Sequence, residues 1–484
     1  MSSEVRGLEP QSVWNHFADL NAVPRPSKKE ERVIQFMVDF GKSLGLPTEV
    51  DHIGNVFIRK PATAAMEDRT PVVLQAHLDM VHQKNNDTDF DFDTQGIDMY
   101  VDGDWVKARG TTLGADNGMG VAYIMAVLSS KDIPHPAIDA LFTIDEETGM
   151  TGALELKGSM LNGKILLNID TEDDDELTIG CAGGIDINAR LKVNMEPSPE
   201  DVKAFQLVVR GLSGGHSGMD IHKGLGNANK LMNRVLDRLG DRVRLASFDG
   251  GGLRNAIPRE SIAVVLVPEG AADFKQILGQ VGPELISEHS TTDPNLELAW
   301  EEIDVPLEVV SEEFQNALIT ALYTNPNGIY RMSPDIEGLV QTSNNTARVL
   351  LKDGELTILC LTRSSVESEK LDLARAIARN FEAIGCTVEC TGAYPGWTPN
   401  PKSAILTTMT DLYRNLFNGE PRVNACHAGL ECGILGTNYP EMELISFGPN
   451  IRGAHSPDEK TQISSVKKSW EFFLATLENI PNVD

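Results

Sequence analysis

A run of apolar residues that ends in a histidine and an aspartate constrains this chain more than any other feature. Residues 72–81 read as a buried strand that places His77 and Asp79 two positions apart at its C-terminal end. Residues i and i+2 of a strand share a face, so the two side chains can lie together where open α/β sheets bind ligands. A carboxylate is a common partner for the second ring nitrogen of a metal-binding histidine. Taken alone, such a pair is more often a surface histidine beside a loop aspartate.

Acidic residues follow two more apolar strands, and a glycine-rich turn supplies another. One strand runs into Glu146 and Glu147, a second runs into Asp170, and Asp116 lies in a turn that opens an apolar helix. Adjacent glutamates at a strand end point in different directions, so one can bind a metal while its neighbour moves a proton. A solvated acidic loop is the commoner fate of such a glutamate pair, and a phosphate-cradling loop or a plain tight turn would account for the glycine-rich segment. Three apolar strands that end in His77 and Asp79, in the two glutamates and in Asp170 nevertheless favour one shared site.

Composition disfavours several classes of function. The chain has 484 residues, with 42 basic and 71 acidic residues and a formal charge of −29. This charge opposes binding to nucleic acid or to an anionic membrane. The sequence shows no signal-peptide pattern and no apolar segment long enough to span a membrane. Six cysteines are too few for a disulfide framework in a chain of this length, so we expect reduced thiols and a cytoplasmic protein.

The order of patterns predicts an α/β protein of two domains. Ser27 and Glu30 have the spacing of a capping box before an amphipathic helix over residues 33–44. From about residue 187, polar strands alternate with amphipathic helices, and the core-type pattern returns after residue 395. We therefore expect a mixed-sheet core domain from residues 1–186 and 396–484, with residues 187–395 as an inserted α/β lid.

Five residues form a ligand set for divalent metal ions. The set contains two imidazoles and three carboxylates, and it is made of His77, Asp116, Glu147, Asp170 and His455. These donors favour two ions, Zn²⁺ first and Mn²⁺ or Co²⁺ as alternatives, and one carboxylate can bridge both. If His455 completes a site whose other ligands end at Asp170, the chain between them must leave the core and return. The core domain is then discontinuous.

In this order the motifs resemble the co-catalytic metallopeptidases of the M20 family over nearly the whole chain. Four further segments are similar to the subgroup of carnosinase-like aminoacyl-histidine dipeptidases, namely residues 216–218, 255–258, 427–431 and 454–457. The resemblance implies that His77 and Asp170 hold one metal and that Glu147 and His455 hold the other. Asp116 would bridge the two ions.

The resemblance also implies roles around the metals. Asp79 would orient the metal-binding histidine, and Glu146 would be the general base for a water that bridges the two ions. His216 and Asn255, from the lid, would contact the tetrahedral oxyanion and the substrate. The substrate carboxylate needs a cation, for which Arg363 is the first candidate and Arg348 the second.

The activity implied by the resemblance is hydrolysis of unblocked dipeptides, preferentially Xaa-His. A tripeptide aminopeptidase or an N-acyl amino-acid deacylase of the same fold is the alternative, because these enzymes share the metal chemistry. A metal-independent peptide-binding relative is a third class, and the presence of Glu146, Glu147 and every ligand position argues against it. Family members commonly pair through the lid, so we expect a homodimer.

Overall fold

The computed structural model describes residues 3–85, 87–271 and 273–482. By its internal contacts the chain divides into two compact units, each built of helices and strands. The core domain runs to Gly180 and resumes over Trp397–Ala425 and from Leu430 onward. The inserted domain comprises Cys181–Gly396 and the short segment Cys426–Gly429. The expectation of a two-domain, mixed α/β fold is confirmed.

The expected lower domain boundary at residue 187 falls inside a strand. This strand, Gly183–Lys192, pairs along its length with two strands of the inserted domain, so the contact division precedes it. The expected single return at residue 396 also missed residues 426–429, which belong to the inserted domain by contacts. Hydrophobic pattern marks where strands lie, but it does not show which sheet a strand joins.

An eight-stranded mixed sheet forms the centre of the core domain, in the order β1-β2-β6-β3-β7-β21-β8-β20. Its strands, in chain order, are β1 Thr48–Val50, β2 Val56–Lys60, β3 Val72–His77, β6 Ile138–Thr143, β7 Ile165–Asn168, β8 Glu176–Cys181, β20 Arg422–Cys426 and β21 Glu443–Ser446. The neighbours β6, β3, β7 and β21 run parallel. Every residue of β3, β6 and β7 is buried, as continuous apolar runs in a covered parallel sheet should be.

The helices of the core domain are mostly amphipathic. They are α1 Ser3–Arg6, α2 Gln11–Asn21, α3 Glu31–Ser43, α4 Ala115–Ser129, α5 Glu146–Gly149, α6 Thr151–Glu155, α11 Ala404–Phe417, α12 Glu431–Asn438 and α13 Ile463–Glu478. A second sheet of this domain has the order β22-β23-β5-β4, formed by β4 Met99–Asp102, β5 Trp105–Ala108, β22 Ile451–Arg452 and β23 Lys460–Gln462. Helix α4 is instead apolar and almost entirely buried.

The inserted domain has a nine-stranded sheet with helices packed on it. Eight strands have the order β14-β11-β13-β12-β17-β18-β9-β19, and β16 pairs with β17. These strands are β9 Gly183–Lys192, β11 Val202–Arg210, β12 Arg244–Gly251, β13 Ser261–Pro268, β14 Glu297–Ile303, β16 Gly328–Met332, β17 Val340–Lys352, β18 Glu355–Ser364 and β19 Thr387–Tyr394. A separate two-stranded sheet pairs β10 Met195–Pro197 with β15 Glu308–Val310.

Four helices of the inserted domain share one apolar core with the large sheet. They are α7 Ala228–Leu239, α8 Asp273–Glu288, α9 Glu312–Thr324 and α10 Glu367–Glu382. Leu207, Val235, Leu278 and Phe381 are representative members of this core and are fully buried. Within the ranges that the structure describes, no helix has the length and apolar character needed to cross a bilayer.

Helix α4 lies close to the sheet because it carries glycine where a side chain would collide. A Cβ atom on Gly120 would stand 2.5 Å from the carbonyl oxygen of Ile169 and 3.2 Å from Cβ of Ala76. The backbone of Ile169 leads into Asp170, so this contact helps to set the position of that carboxylate.

We expect Gly120→Ala to lower the free energy of unfolding by about 1–3 kcal/mol, because the added methyl group overpacks the contact between helix and sheet. Gly279→Ala is the matched control, since Gly279 also lies in a helix but nothing stands within 4 Å of its added Cβ. That change should stabilise the protein by up to about 1 kcal/mol, the ordinary helix preference of alanine over glycine. Denaturant unfolding of both variants checks the opposite signs, and equal effects would contradict the packing argument.

Candidate metal centre

The candidate ligands meet at one edge of the core sheet. Strands β6, β3 and β7 are parallel neighbours, and His77 at the end of β3 lies in register with Thr143 at the end of β6. Glu146 and Glu147 begin the short helix α5 just after β6, and Asp170 follows β7 by two residues. The carboxyl ends of parallel strands share an edge, so residues distant in the chain are brought together.

One group of possible ligands surrounds the His77 ring. His77 Nε2 lies 3.2 Å from Asp116 Oδ1 and 3.6 Å from Asp170 Oδ1. One donor atom from each of these three residues lies within 4.8 Å of the other two. His77 is 1% exposed, so this nitrogen is enclosed by protein and aimed at the two carboxylates.

A second group shares Asp116 with the first. His455 Nε2 lies 3.2 Å from Asp116 Oδ2 and 3.0 Å from Glu147 Oε2. The two carboxylate oxygens of Asp116 therefore face two different imidazoles, His77 on one side and His455 on the other. This is the arrangement that a carboxylate bridging two ions requires.

His77 presents the correct nitrogen for metal binding. Its Nδ1 lies 3.1 Å from the backbone carbonyl oxygen of Asp79 and 3.4 Å from the carboxylate of the same residue. A proton on Nδ1 satisfies these acceptors and leaves the Nε2 lone pair directed at the site. The sequence interpretation assigned the orientation of His77 to the Asp79 carboxylate, whereas the backbone carbonyl of Asp79 is the closer partner.

The Asp79 carboxylate has a second set of contacts. Its oxygens accept hydrogen bonds from the backbone N–H of Glu146 at 3.0 Å and of Glu147 at 3.3 Å, and from the Ser27 hydroxyl at 2.8 Å. Asp79 therefore fixes the backbone that carries Glu146 and Glu147. The capping box predicted at Ser27 is wrong, because helix α3 begins at Glu31 without a side-chain cap.

The charges at the centre are strongly coupled. Burial raises the pKa of Glu146 well above its usual range, and burial also raises those of Glu147 and Asp170. Hydrogen bonds to Asp116 and Glu147 raise the pKa of His455 to about 11. For His77, burial opposes the charged ring, but the facing carboxylates outweigh it and raise the pKa. Several buried anions around two imidazoles create a strong preference for positive charge.

The donor set fits divalent metal ions. Glu147 Oε1 is buried and makes no hydrogen bond to another described residue, although its other oxygen contacts His455. An unsatisfied buried carboxylate oxygen is costly unless a cation or a donor meets it. Imidazole and carboxylate donors without cysteine suit Zn²⁺, Mn²⁺ or Co²⁺.

A residue that the sequence analysis missed, Glu459, holds the turn that carries Asp116. Its two carboxylate oxygens accept hydrogen bonds from four consecutive backbone N–H groups at 2.7–3.2 Å, those of residues 113–116. Glu459 is 3% exposed and lies four residues after His455. One side chain therefore joins the loop of one candidate ligand to the turn of another. Burial raises the pKa of Glu459 to about 7.

Arg25, also missed by the sequence analysis, binds a carbonyl group of the same turn. Its guanidinium donates to the carbonyl oxygens of Leu78 at 3.0 Å, Asp79 at 3.2 Å and Gly114 at 2.5 Å. It is 1% exposed. The Asp116 turn and the end of the His77 strand are thus fastened to one buried cation.

A further buried acid, Glu431, contacts the two neighbouring strands β3 and β6. Glu431, which begins helix α12, accepts hydrogen bonds from the Gln75 amide at 2.7 Å and the Thr143 hydroxyl at 2.6 Å. Burial raises the pKa of Glu431 to about 7. Gln75 precedes His77 by two residues on the same face of β3, so Glu431 supports the strand next to that candidate ligand.

The three residues proposed to contact substrate lie in the inserted domain. His216 Nδ1 accepts hydrogen bonds from the backbone N–H groups of Gly218 and Met219 at 3.2 and 2.9 Å, which places the proton of the neutral ring on Nε2. Asn255 is exposed. Arg363 lies on β18 and is 5% exposed, and it donates to the Tyr394 hydroxyl at 2.8 Å. Among the described residues, no carboxylate forms an ion pair with Arg363.

Comparisons with known proteins agree with one another. The family model described as peptidase family M20/M25/M40 matches residues 73–479. A curated relative from Escherichia coli (strain K12), named cytosol non-specific dipeptidase, is 43% identical over 482 residues, covering 99% of each chain. The solved structure of aminoacylhistidine dipeptidase from Vibrio alginolyticus is 43% identical with a TM-score of 0.93, covering 100% of this chain and 99% of that one. A Bacillus cereus aminopeptidase, PepT, is 14% identical with a TM-score of 0.58 and covers 98% and 99%.

We expect Glu459→Gln to weaken metal binding by about 10- to 100-fold, the range typical for residues that orient metal ligands. The amide replaces one acceptor oxygen by an N–H₂ group that faces backbone N–H donors, so the Asp116 turn loses its support. The neighbouring Asp458→Asn removes the same charge from an exposed position and serves as the control. Competition with a chelator measures the affinity of each variant. Equal affinities would contradict the assigned role of Glu459.

Proposed function

The chain belongs to peptidase family M20/M25/M40 and is a peptide-bond hydrolase, and we propose that it cleaves unblocked dipeptides, Xaa-His among them, with two divalent metal ions. One observation carries the proposal: the two carboxylate oxygens of Asp116 each lie 3.2 Å from the Nε2 atom of a different histidine. The names of the two relatives at 43% identity support dipeptides as the substrate class.

Each metal position has its own ligands in the proposal. His77 and Asp170 would hold one ion, Glu147 and His455 would hold the other, and Asp116 would lie between them. Zn²⁺ is the proposed metal, with Mn²⁺ or Co²⁺ as alternatives. Two such ions, when bound, lower the pKa of water and polarise a peptide carbonyl.

Glu146 is the proposed general base. Its carboxylate lies within 4.8 Å of donor atoms of His77 and Glu147, and its backbone N–H is held by Asp79. The carboxylate can remove a proton from the attacking water and then deliver it to the departing amine. The adjacent Glu147 points toward His455, so the two glutamates divide proton transfer and metal binding between them.

Three residues of the inserted domain are proposed to recognise the substrate. His216, with its proton on Nε2, is a donor suited to the developing oxyanion. Arg363 is buried without a carboxylate partner among the described residues, which suits a guanidinium that receives the carboxylate of a dipeptide. Asn255 supplies an exposed amide. We also propose, from the family resemblance, a homodimer and a cytoplasmic location.

The alternative activity within this fold is that of a tripeptide aminopeptidase or an N-acyl amino-acid deacylase. The likeness to PepT is at 14% identity and concerns the fold alone, so it does not favour that activity. Turnover of a panel of dipeptides, tripeptides and N-acyl amino acids separates these substrate classes. Cleavage of tripeptides or N-acyl amino acids in preference to every dipeptide would overturn the proposal.

We expect the purified protein to bind about two divalent ions per chain, because the two ligand groups share only Asp116. His455→Ala should reduce the number toward one, since it removes a ligand of the second position only. Elemental analysis after mild dialysis measures both values. A content near zero in the unmutated protein at saturating Zn²⁺ would disprove the metal assignment.

Glu146→Gln should abolish hydrolysis while both metals and substrate affinity are retained. The change preserves the size of the side chain but removes the basic oxygen, and loss of a general base costs at least about 100- to 10,000-fold in rate. Glu147→Gln is the matched neighbour and should weaken the second metal first. Turnover of glycyl-histidine and metal content are measured for both. If Glu146→Gln keeps more than about a tenth of the activity, or loses metal while Glu147→Gln keeps it, the two roles are reversed.

A further inference from the structure

A buried amide in the middle of the inserted sheet contacts the loop that carries Asn255. Asn345 lies on strand β17 and is 1% exposed. Its Nδ2 donates one hydrogen bond to the carbonyl oxygen of Arg254 at 3.0 Å and another to that of Ala256 at 2.8 Å. Both hydrogens of a single amide are thus used on the carbonyl groups of the two residues that flank Asn255.

The orientation of the Asn345 amide is fixed by its surroundings. Carbonyl oxygens only accept hydrogen bonds, so the nitrogen must face the loop and Oδ1 must face away. Oδ1 accepts from Asn227 Nδ2 at 3.3 Å. Asn227 is itself oriented, because its Oδ1 caps helix α7 by accepting from two backbone N–H groups. These hydrogen bonds leave the side-chain amides of Asn227 and Asn345 one orientation each.

The same loop is bound to the segment that carries His216. The carbonyl oxygen of Asn255 accepts from the backbone N–H of Ser217 at 2.7 Å, and Ile257 N–H donates to the Gly215 carbonyl at 2.9 Å. Residues 216 and 256 form an isolated antiparallel bridge. The backbone of Asn255 is therefore held on its own carbonyl and on both neighbouring ones, while its side chain stays exposed.

Two glycines open this loop. Gly251, with φ +74°, ends strand β12 where an added Cβ would collide with the Ala347 carbonyl oxygen, and nothing lies within 4 Å of an added Cβ on Gly252. Leu253 is 74% exposed, and Asn255 is exposed as well. Packing of these two side chains does not fix the segment, so the hydrogen bonds from Asn345 help to hold its backbone.

We propose that Asn345 is a positioning residue that sets the Asn255 loop for substrate binding. This inference rests on the proposed function, in which Asn255 contacts the substrate. A misplacement of about 1 Å in a group that binds substrate can lower the rate by about 100-fold. Loss of the two hydrogen bonds would release the loop without removing any group that touches the substrate.

The test is a double-mutant cycle on the full-length, metal-loaded protein with glycyl-histidine as substrate. Asn345→Ala should lower kcat/KM by at least about 10-fold in the unmutated background. In an Asn255→Ala background the same change should cost less than about 3-fold, because the side chain that it positions is already absent. Metal content should not change in any of these variants.

Asn233→Ala is the matched structural control. Asn233 is equally buried in the same domain and donates to the Ile319 carbonyl at 3.0 Å, between two helices. It should lower the thermal midpoint as Asn345→Ala does while leaving kcat/KM within about 3-fold. Asn345→Asp keeps the shape of the side chain but places an oxygen against two carbonyls, so it should lose activity as Asn345→Ala does. Asn345→Ser, which keeps a short donor, replaces these variants if they do not fold and should show an intermediate loss.

The outcomes separate this inference from the proposed function. If Asn255→Ala lowers kcat/KM strongly but Asn345→Ala does not, the inference alone is overturned. Equal losses from Asn345→Ala in both backgrounds, or equal losses from Asn345→Ala and Asn233→Ala, also overturn it. If Asn255→Ala has no effect, the substrate-binding role of Asn255 fails, and the inference fails with it.

Discussion

The metal centre depends on how one turn is held between two buried, oppositely charged side chains. Asp116 lies at the start of helix α4, where backbone N–H groups have no partner within the helix. Glu459 accepts from four N–H groups at and just before this start, and Arg25 binds the Gly114 carbonyl oxygen of the same turn. A carboxylate that faces two imidazoles needs its backbone fixed within a few tenths of an ångström. The turn itself has no regular structure that could supply this precision.

Much of the candidate centre could be predicted from the sequence because its side chains follow buried parallel strands. His77, Glu146, Glu147 and Asp170 all come at or just after such strands, and a short apolar run that stops at an acid is a local signal. His455 follows no long strand, so this local signal does not mark it. Glu459 and Arg25, which hold the Asp116 turn, could not be predicted in this way because neither follows such a strand. Ser27 has the spacing of a helix cap, yet it contacts Asp79, 52 positions away in the chain.

In the inserted domain, too, contacts between residues distant in the chain could not be predicted from the sequence. The alternation of strands and helices predicted its class, but residues 341–346 of strand β17 are all polar and all buried. A hydropathy pattern reads such a segment as exposed, because it cannot show which distant groups will satisfy a buried amide. Asn345 is the clearest case, since its partners lie about ninety positions earlier in the chain. We expected this domain to begin at residue 187, whereas the contacts place its start at Cys181. The reason is related, because pairing between strands is not a property of either strand alone.

The late position of Glu459 and His455 in the sequence has a consequence for the protein during its translation. The inserted domain separates these residues from the Asp116 turn, and 344 positions lie between Glu459 and the Ala115 N–H that it binds. A chain that grows from its N-terminus cannot close the centre until the segment after the inserted domain has left the ribosome. The Asp116 turn therefore lacks the support of Glu459 while the preceding segments are being translated. Unfinished chains still contain unfolded segments that a protease could cleave. In such chains the candidate metal centre is not yet assembled.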